Sequence, residues 1–138
     1  PLAHEDHPQR ALYAALRMQE EMRRYADTIR QKGYPPLLMR VGINTGEVVL
    51  RSIRKDDLHA DYVPVGHSTN LAARMEQLAK QYMDASEEIV ELASSATVEA
   101  LTSTEGLADV LSNPAESHEV RGRVETIMVH KLKMPKFD

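Results

Sequence analysis

The chain predicts an α/β sandwich, a sheet with helices packed on it. Three observations carry this. Apolar residues recur at helical spacing through Leu12, Ala15, Leu16, Met22, Tyr25 and Ile29. Two strand-like runs, Leu37 to Asn44 and Glu47 to Ile53, follow a proline pair. A second helical repeat, Leu71, Met75, Leu78 and Tyr82, begins shortly after Gly66. The full order reads α-β-β-α-β-α-β-β over 138 residues, with no internal repeat. That length suits one domain, residues 1–138, with a real core.

The elements can be justified in turn. Asp6 suits an N-cap, with Pro8 in the first turn of the helix behind it. Gly33 stands where a C-terminal stop belongs, and Pro35-Pro36 forbids continuation. The short link Asn44-Thr45-Gly46 suggests a hairpin joining the two strands around it. Residues 54–61 are polar and read as an exposed loop, and Tyr62 to Val65 as a short extended stretch. Ser68 or Thr69 can cap the second long helix. Ile89 to Ala93 reads as a strand, and Ser94 or Ser95 as the cap of a helix over Ala96 to Leu101. Glu119 to Arg123 and Thr126 to Leu132 read as a closing hairpin.

Composition narrows the function. The chain is 42% hydrophobic and 28% charged with a net charge of -4, so a phosphate-driven nucleic-acid binder, which needs a basic face, is disfavoured. There is no cysteine, hence no disulfide framework and no thiolate metal site; a cytoplasmic compartment fits. No apolar run is long enough to span a membrane, so no membrane contact is expected from this segment. Pro1-Leu2-Ala3-His4 reads as the middle of a longer protein, whose other parts could be membrane-anchored. His4-Glu5-Asp6-His7 lacks the helical spacing of a histidine metal site. His59 and His67 read as solvated, and Met18, Met22 and Met75 as core fillers.

The sharpest chemical pair is Asn70 and Arg74. Their i, i+4 spacing puts both on one helical face, away from Leu71, Met75 and Leu78. A guanidinium offers forked donors and a carboxamide both a donor and an acceptor, which suits a phosphate and a sugar hydroxyl. An ordinary solvated face has the same pattern.

Two segments decide between these. Val41-Gly42-Ile43-Asn44-Thr45-Gly46-Glu47-Val48-Val49 and Val65-Gly66-His67-Ser68-Thr69-Asn70-Leu71-Ala72-Ala73-Arg74-Met75 together closely resemble the core of a class III nucleotidyl cyclase catalytic domain. The resemblance runs from Pro1 to about Leu132 and is strongest from Arg40 to Leu78. It implies a ferredoxin-like nucleotide cyclase fold, partial, with a mostly antiparallel sheet. It implies that Asn70 contacts the ribose and that Arg74 stabilises charge building on the phosphate. It implies that Arg121, in Arg121-Gly122-Arg123, holds the terminal phosphates, with Arg123 second. Val63 stands where the family usually has Asp or Thr to read the purine edge, and valine has no group for that task. Glu47 matches a segment that shapes a hairpin near the dimer seam.

The implied activity is conversion of ATP, less readily GTP, into the 3′,5′-cyclic nucleotide and pyrophosphate. The implied cofactor is Mg or Mn, held by aspartates expected upstream of Pro1, so no metal ligand is assigned in this chain and the segment by itself is expected to be inactive. The implied partners are a nucleoside triphosphate and a second subunit in a homodimer, formed natively or by swapping. The alternative is a catalytically silent cyclase-homology domain that binds nucleotide or only dimerises, and Val63 speaks for it.

Overall fold

The structure is a computed structural model that describes residues 4–54, 56, 60–83, 88–101, 107, 116–119 and 126–133. Helix α1 spans His7–Gln31, and strands β1, β2 and β3 span Met39–Ile43, Val49–Arg54 and Ala60–Val65. Helix α2, His67–Leu78, runs on into a 3-10 turn, Ala79–Tyr82. Strand β4 (Ile89–Ser94), helix α3 (Ser95–Glu99) and strands β5 (Glu116–Glu119) and β6 (Thr126–Lys131) follow.

Four strands form one sheet in the order β1-β4-β6-β5. β4 runs parallel to β1, with Gly42 opposite Leu92, and antiparallel to β6. β5 closes the far edge, antiparallel to β6. The two helical layers follow from β4, whose six residues are all buried. On one face Ala93 meets Leu12, Ala15 and Leu16 of α1, with Leu107 and Leu132. On the other, Val90 and Leu92 meet Met75 of α2, with Ala79 and Val129. Each fully buried Leu or Met is worth about 1.5–3 kcal/mol of transfer free energy, so the sandwich rests on these two clusters. The mixed α/β architecture expected from the element order is the one observed.

The local signals act as their chemistry requires, with instructive exceptions. At the end of α1 the Tyr34 amide donates to the Ile29 carbonyl (3.1 Å) and the Gly33 amide to that of Arg30 (3.0 Å), a paired closure that satisfies the last carbonyls. Asp6 does sit at the N-cap, but its carboxylate accepts no backbone N–H. It takes the Arg10 guanidinium instead at 2.9 Å, which holds its pKa below the usual carboxylate value. The apolar stripe of α1 is rotated from the expected one: Tyr25 and Met18 are exposed, whereas Ala26 and Gln19 are buried. α2 starts earlier than a Ser68 or Thr69 cap would place it; Gly66 takes the cap with φ 131°, a conformation that favours glycine.

The expected hairpin at Asn44-Thr45-Gly46 is not formed. β1 pairs with β4, while β2 pairs with β3 in a separate two-stranded ribbon, Val49 opposite Val65 and Arg54 opposite Ala60. Of the expected loop over residues 54–61, Arg54 ends β2 and Ala60 and Asp61 open β3, while 55 and 57–59 lie outside the described residues; Tyr62 to Val65 belongs to β3. The first strand of the closing hairpin, β5, precedes the expected Glu119 to Arg123.

Candidate functional site

The failed hairpin has a local cause, and that cause builds the site. The Asn44 side chain donates from Nδ2 to the Ser68 carbonyl (3.0 Å), and its Oδ1 accepts from the Ser94 hydroxyl (2.8 Å). The Ser94 oxygen in turn accepts the Thr97 amide at 3.2 Å, capping α3, and lies 3.1 Å from the Thr97 hydroxyl. The Thr97 hydroxyl also meets that of Thr45 at 2.8 Å. The segment leaving β1 is thus tied to the first turn of α2 and to the end of β4. It cannot fold straight back on β1.

Two close approaches hold α2 on the sheet. A Cβ at Gly42 would lie 2.6 Å from the Ala72 carbonyl oxygen, 2.7 Å from the Glu76 nitrogen and 2.9 Å from Met75 Cβ. A Cβ at Gly46 would overlap the Ser68 hydroxyl. The Arg40 guanidinium adds an ion pair with Glu76 at 3.0 Å. The two segments singled out by sequence are therefore one packed unit.

Asn70 and Arg74 are both exposed, on the side of α2 away from buried Met75. Among the described residues neither side chain makes a hydrogen bond or ion pair, so both stay available to a ligand. Val63 lies in β3 opposite Arg51 and is 38% exposed, close in sequence to Gly66 but on the ribbon and not on α2. Arg121 and Arg123 lie outside the described residues, as does His59. Glu47 is exposed, and His67 opens α2.

Sequence reading missed the clamp around Asn44. Its available signals were Gly42 and Gly46, whose spacing marks two close approaches, and the Ser94-Ser95 cap pair. It also missed Glu91. This carboxyl is fully buried in β4, on the face shared with Ala93 and covered by α1. Both its oxygens, Gln19 Oε1 and Arg23 Nε are buried without a hydrogen-bond partner among the described residues. Desolvation pushes the Glu91 pKa up to about 8, against a smaller opposing pull from Arg23.

The chain belongs to the adenylate and guanylate cyclase catalytic domain family, whose sequence pattern matches residues 3–133. Adenylate cyclase 1 of Rhizobium meliloti (strain 1021) is 30% identical over 82 residues, covering 59% of this chain and 12% of that protein. Among solved structures, the guanylyl cyclase Cya2 superposes with a TM-score of 0.72 at 26% identity, over 96% of this chain and 60% of that one. The adenylyl cyclase CyaB from P. aeruginosa gives 0.58 at 23% identity, over 86% and 55%, a likeness of fold alone. The chain thus spans less than two thirds of each of these relatives.

The family implies divalent metal ions; among the described residues no three His, Asp or Glu side chains converge to hold one. Among those residues, too, no helix is long and apolar enough to cross a membrane.

Proposed function

We propose that this chain carries the sugar- and phosphate-contacting half of a nucleotidyl cyclase site, acting on ATP in preference to GTP to give the 3′,5′-cyclic nucleotide and pyrophosphate in intracellular signalling. The observation that carries the reading is the pair Asn70 and Arg74, uncommitted and exposed on a helix whose first turn is fixed to the sheet by Asn44. In the reaction the ribose 3′-oxygen bonds to the α-phosphorus as the bond to the pyrophosphate oxygen breaks, and the 3′-hydroxyl proton is lost. Asn70 orients the ribose. Arg74 donates to the phosphate oxygens on which negative charge grows, and Arg121 holds the terminal phosphates. A preorganised donor of this kind is typically worth ~3–4 kcal/mol, a factor of hundreds in rate.

The domain works as a homodimer in which the partner completes the site; the segment alone does not turn over. What supports the pairing is the ribbon. Val49, Ile53, Val63 and Val65 share one of its faces with Arg51 and Asp61 by cross-strand register, and Val49 is 68% exposed. A lone two-stranded ribbon is marginal in water, and the exposed valines and isoleucine on that face gain by being covered.

The test is Arg74→Ala in the full-length protein. Cyclic nucleotide production from ATP is expected to fall by a factor of about 10² to 10³, with the thermal transition unchanged because Arg74 is exposed. Unchanged turnover in the variant would refute the assignment. The second reading, a catalytically silent domain that binds nucleotide or dimerises, is favoured by Val63, a side chain unable to hydrogen-bond a base. Full-length protein that dimerises and binds ATP without producing cyclic nucleotide decides for it.

A further inference from the structure

We infer that Asn44 is a positioning residue for this site, setting where α2 presents Asn70 and Arg74; the inference rests on the nucleotide reading above. The geometry is specific. One carboxamide spans two elements, its nitrogen on the Ser68 carbonyl in the first turn of α2 and its oxygen on the Ser94 hydroxyl at the end of the buried strand β4. Ser94 is itself fixed, since the same hydroxyl caps α3 through the Thr97 amide. The strut therefore runs from the most buried strand to the helix that carries the ligand-facing pair, and Asn44 is its middle link.

At that end of the helix the Asn44 bond has a distinct part. Its cap, Gly66, offers no side chain, and the α2 N-terminus makes no side-chain capping bond. Gly46 presses against Ser68 from the turn side. That contact blocks approach in one direction but does not prevent withdrawal. The Asn44 bond to the Ser68 carbonyl supplies the missing pull. Asn70 lies two residues beyond Ser68 and Arg74 one turn further, so a shift of the first turn is passed to both. Where a site depends on near-attack geometry, misplacement by about 1 Å costs roughly 10²-fold in rate.

Asn44 touches no ligand in this account, and its test must separate placement from folding. In the full-length protein, Asn44→Ala is expected to lower kcat for ATP about 10- to 100-fold with KM changed less than about threefold. Amide hydrogen exchange at residues 70–72 is expected to quicken about tenfold or more, as local opening of the first turn becomes easier. Exchange across Ile89–Ser94 stays as in the parent. A merely structural residue gives the opposite pattern: faster exchange throughout, a lower Tm, and unchanged kcat per folded molecule. That pattern, or unchanged exchange at 70–72, overturns the inference. Where Asn44→Ala does not fold, Asn44→Ser, which keeps a hydroxyl but cannot span to Ser68, carries the same comparison. Failure of the nucleotide reading registers separately, as unchanged turnover in Asn70→Ala and Arg74→Ala. Exchange at 70–72 then decides whether the strut holds α2.

Discussion

Replacing Gly42 by alanine adds a single methyl group at the tightest contact between α2 and the sheet. That methyl would stand 2.6 Å from the Ala72 carbonyl oxygen and 2.7 Å from the Glu76 nitrogen, both backbone atoms that no rotamer change can move. Reaching ordinary contact, at about 3.4 Å or beyond, requires α2 to back away from β1 by about 0.8 Å. The helix cannot do this freely, because Met75 and Ala79 are locked among Val90, Leu92 and Val129. Overpacking of this kind typically costs 1–3 kcal/mol. About 2 kcal/mol corresponds to a fall in Tm of roughly 6–10 °C for a domain of this size. Circular dichroism melts of Gly42→Ala measure the stability. Turnover of the full-length variant, measured well below its Tm, reads the displacement, because the same movement carries Asn70 and Arg74 outward. A Tm within about 1 °C of the parent together with parental turnover would show that the helix is not held by this contact, and the account of the clamped unit would fail.

Other consequences are open to measurement. Glu91 holds its proton in the folded state up to about pH 8 but ionises near 4.5 when unfolded, so stability is expected to fall as pH rises from about 4.5 to 8 and then to level off. Glu91→Gln removes that slope, and chemical denaturation at pH 5 and pH 8 checks it; an unaltered slope in the variant assigns the pH dependence elsewhere. Ser94→Ala loses the cap of α3 and the hydroxyl that Asn44 accepts, at a cost of about 1–2 kcal/mol, read as a lower denaturation midpoint. Val49→Lys adds a charge among the exposed valines of the ribbon, and light scattering is expected to show the proposed dimer weakened with the monomer still folded. A parental dimer mass in that variant moves the interface away from the ribbon.

The layers of this fold could be read from sequence because each rests on a local repeat. The stripe through Leu12, Ala15 and Leu16, the run Ile89 to Ser94 and the face around Met75 declare themselves by period and burial. Pairing was harder to read. Asn44-Thr45-Gly46 has the composition of a hairpin turn, and only contacts with Ser68 and Ser94, 24 and 50 residues away, redirect it. The same limit hid Glu91, since nothing in Ile89-Val90-Glu91-Leu92 says that the carboxyl points under α1 and not to water. The exposed position of Asn70 and Arg74 on α2 was legible because helical spacing fixes their shared face without help from distant residues. Tyr25 was misread for a related reason: the stripe of a 25-residue helix drifts, and the surface it covers decides which flank is buried.

The bond between Asn44 and Ser68 closes a ring of chain. Everything from residue 45 to residue 67, the whole β2–β3 ribbon included, leaves and re-enters the domain through that single neck. Lengthening a loop twofold costs only ~0.6 kcal/mol of closure entropy. The ribbon can therefore vary in reach while the Asn44 bond keeps the register of α2 constant.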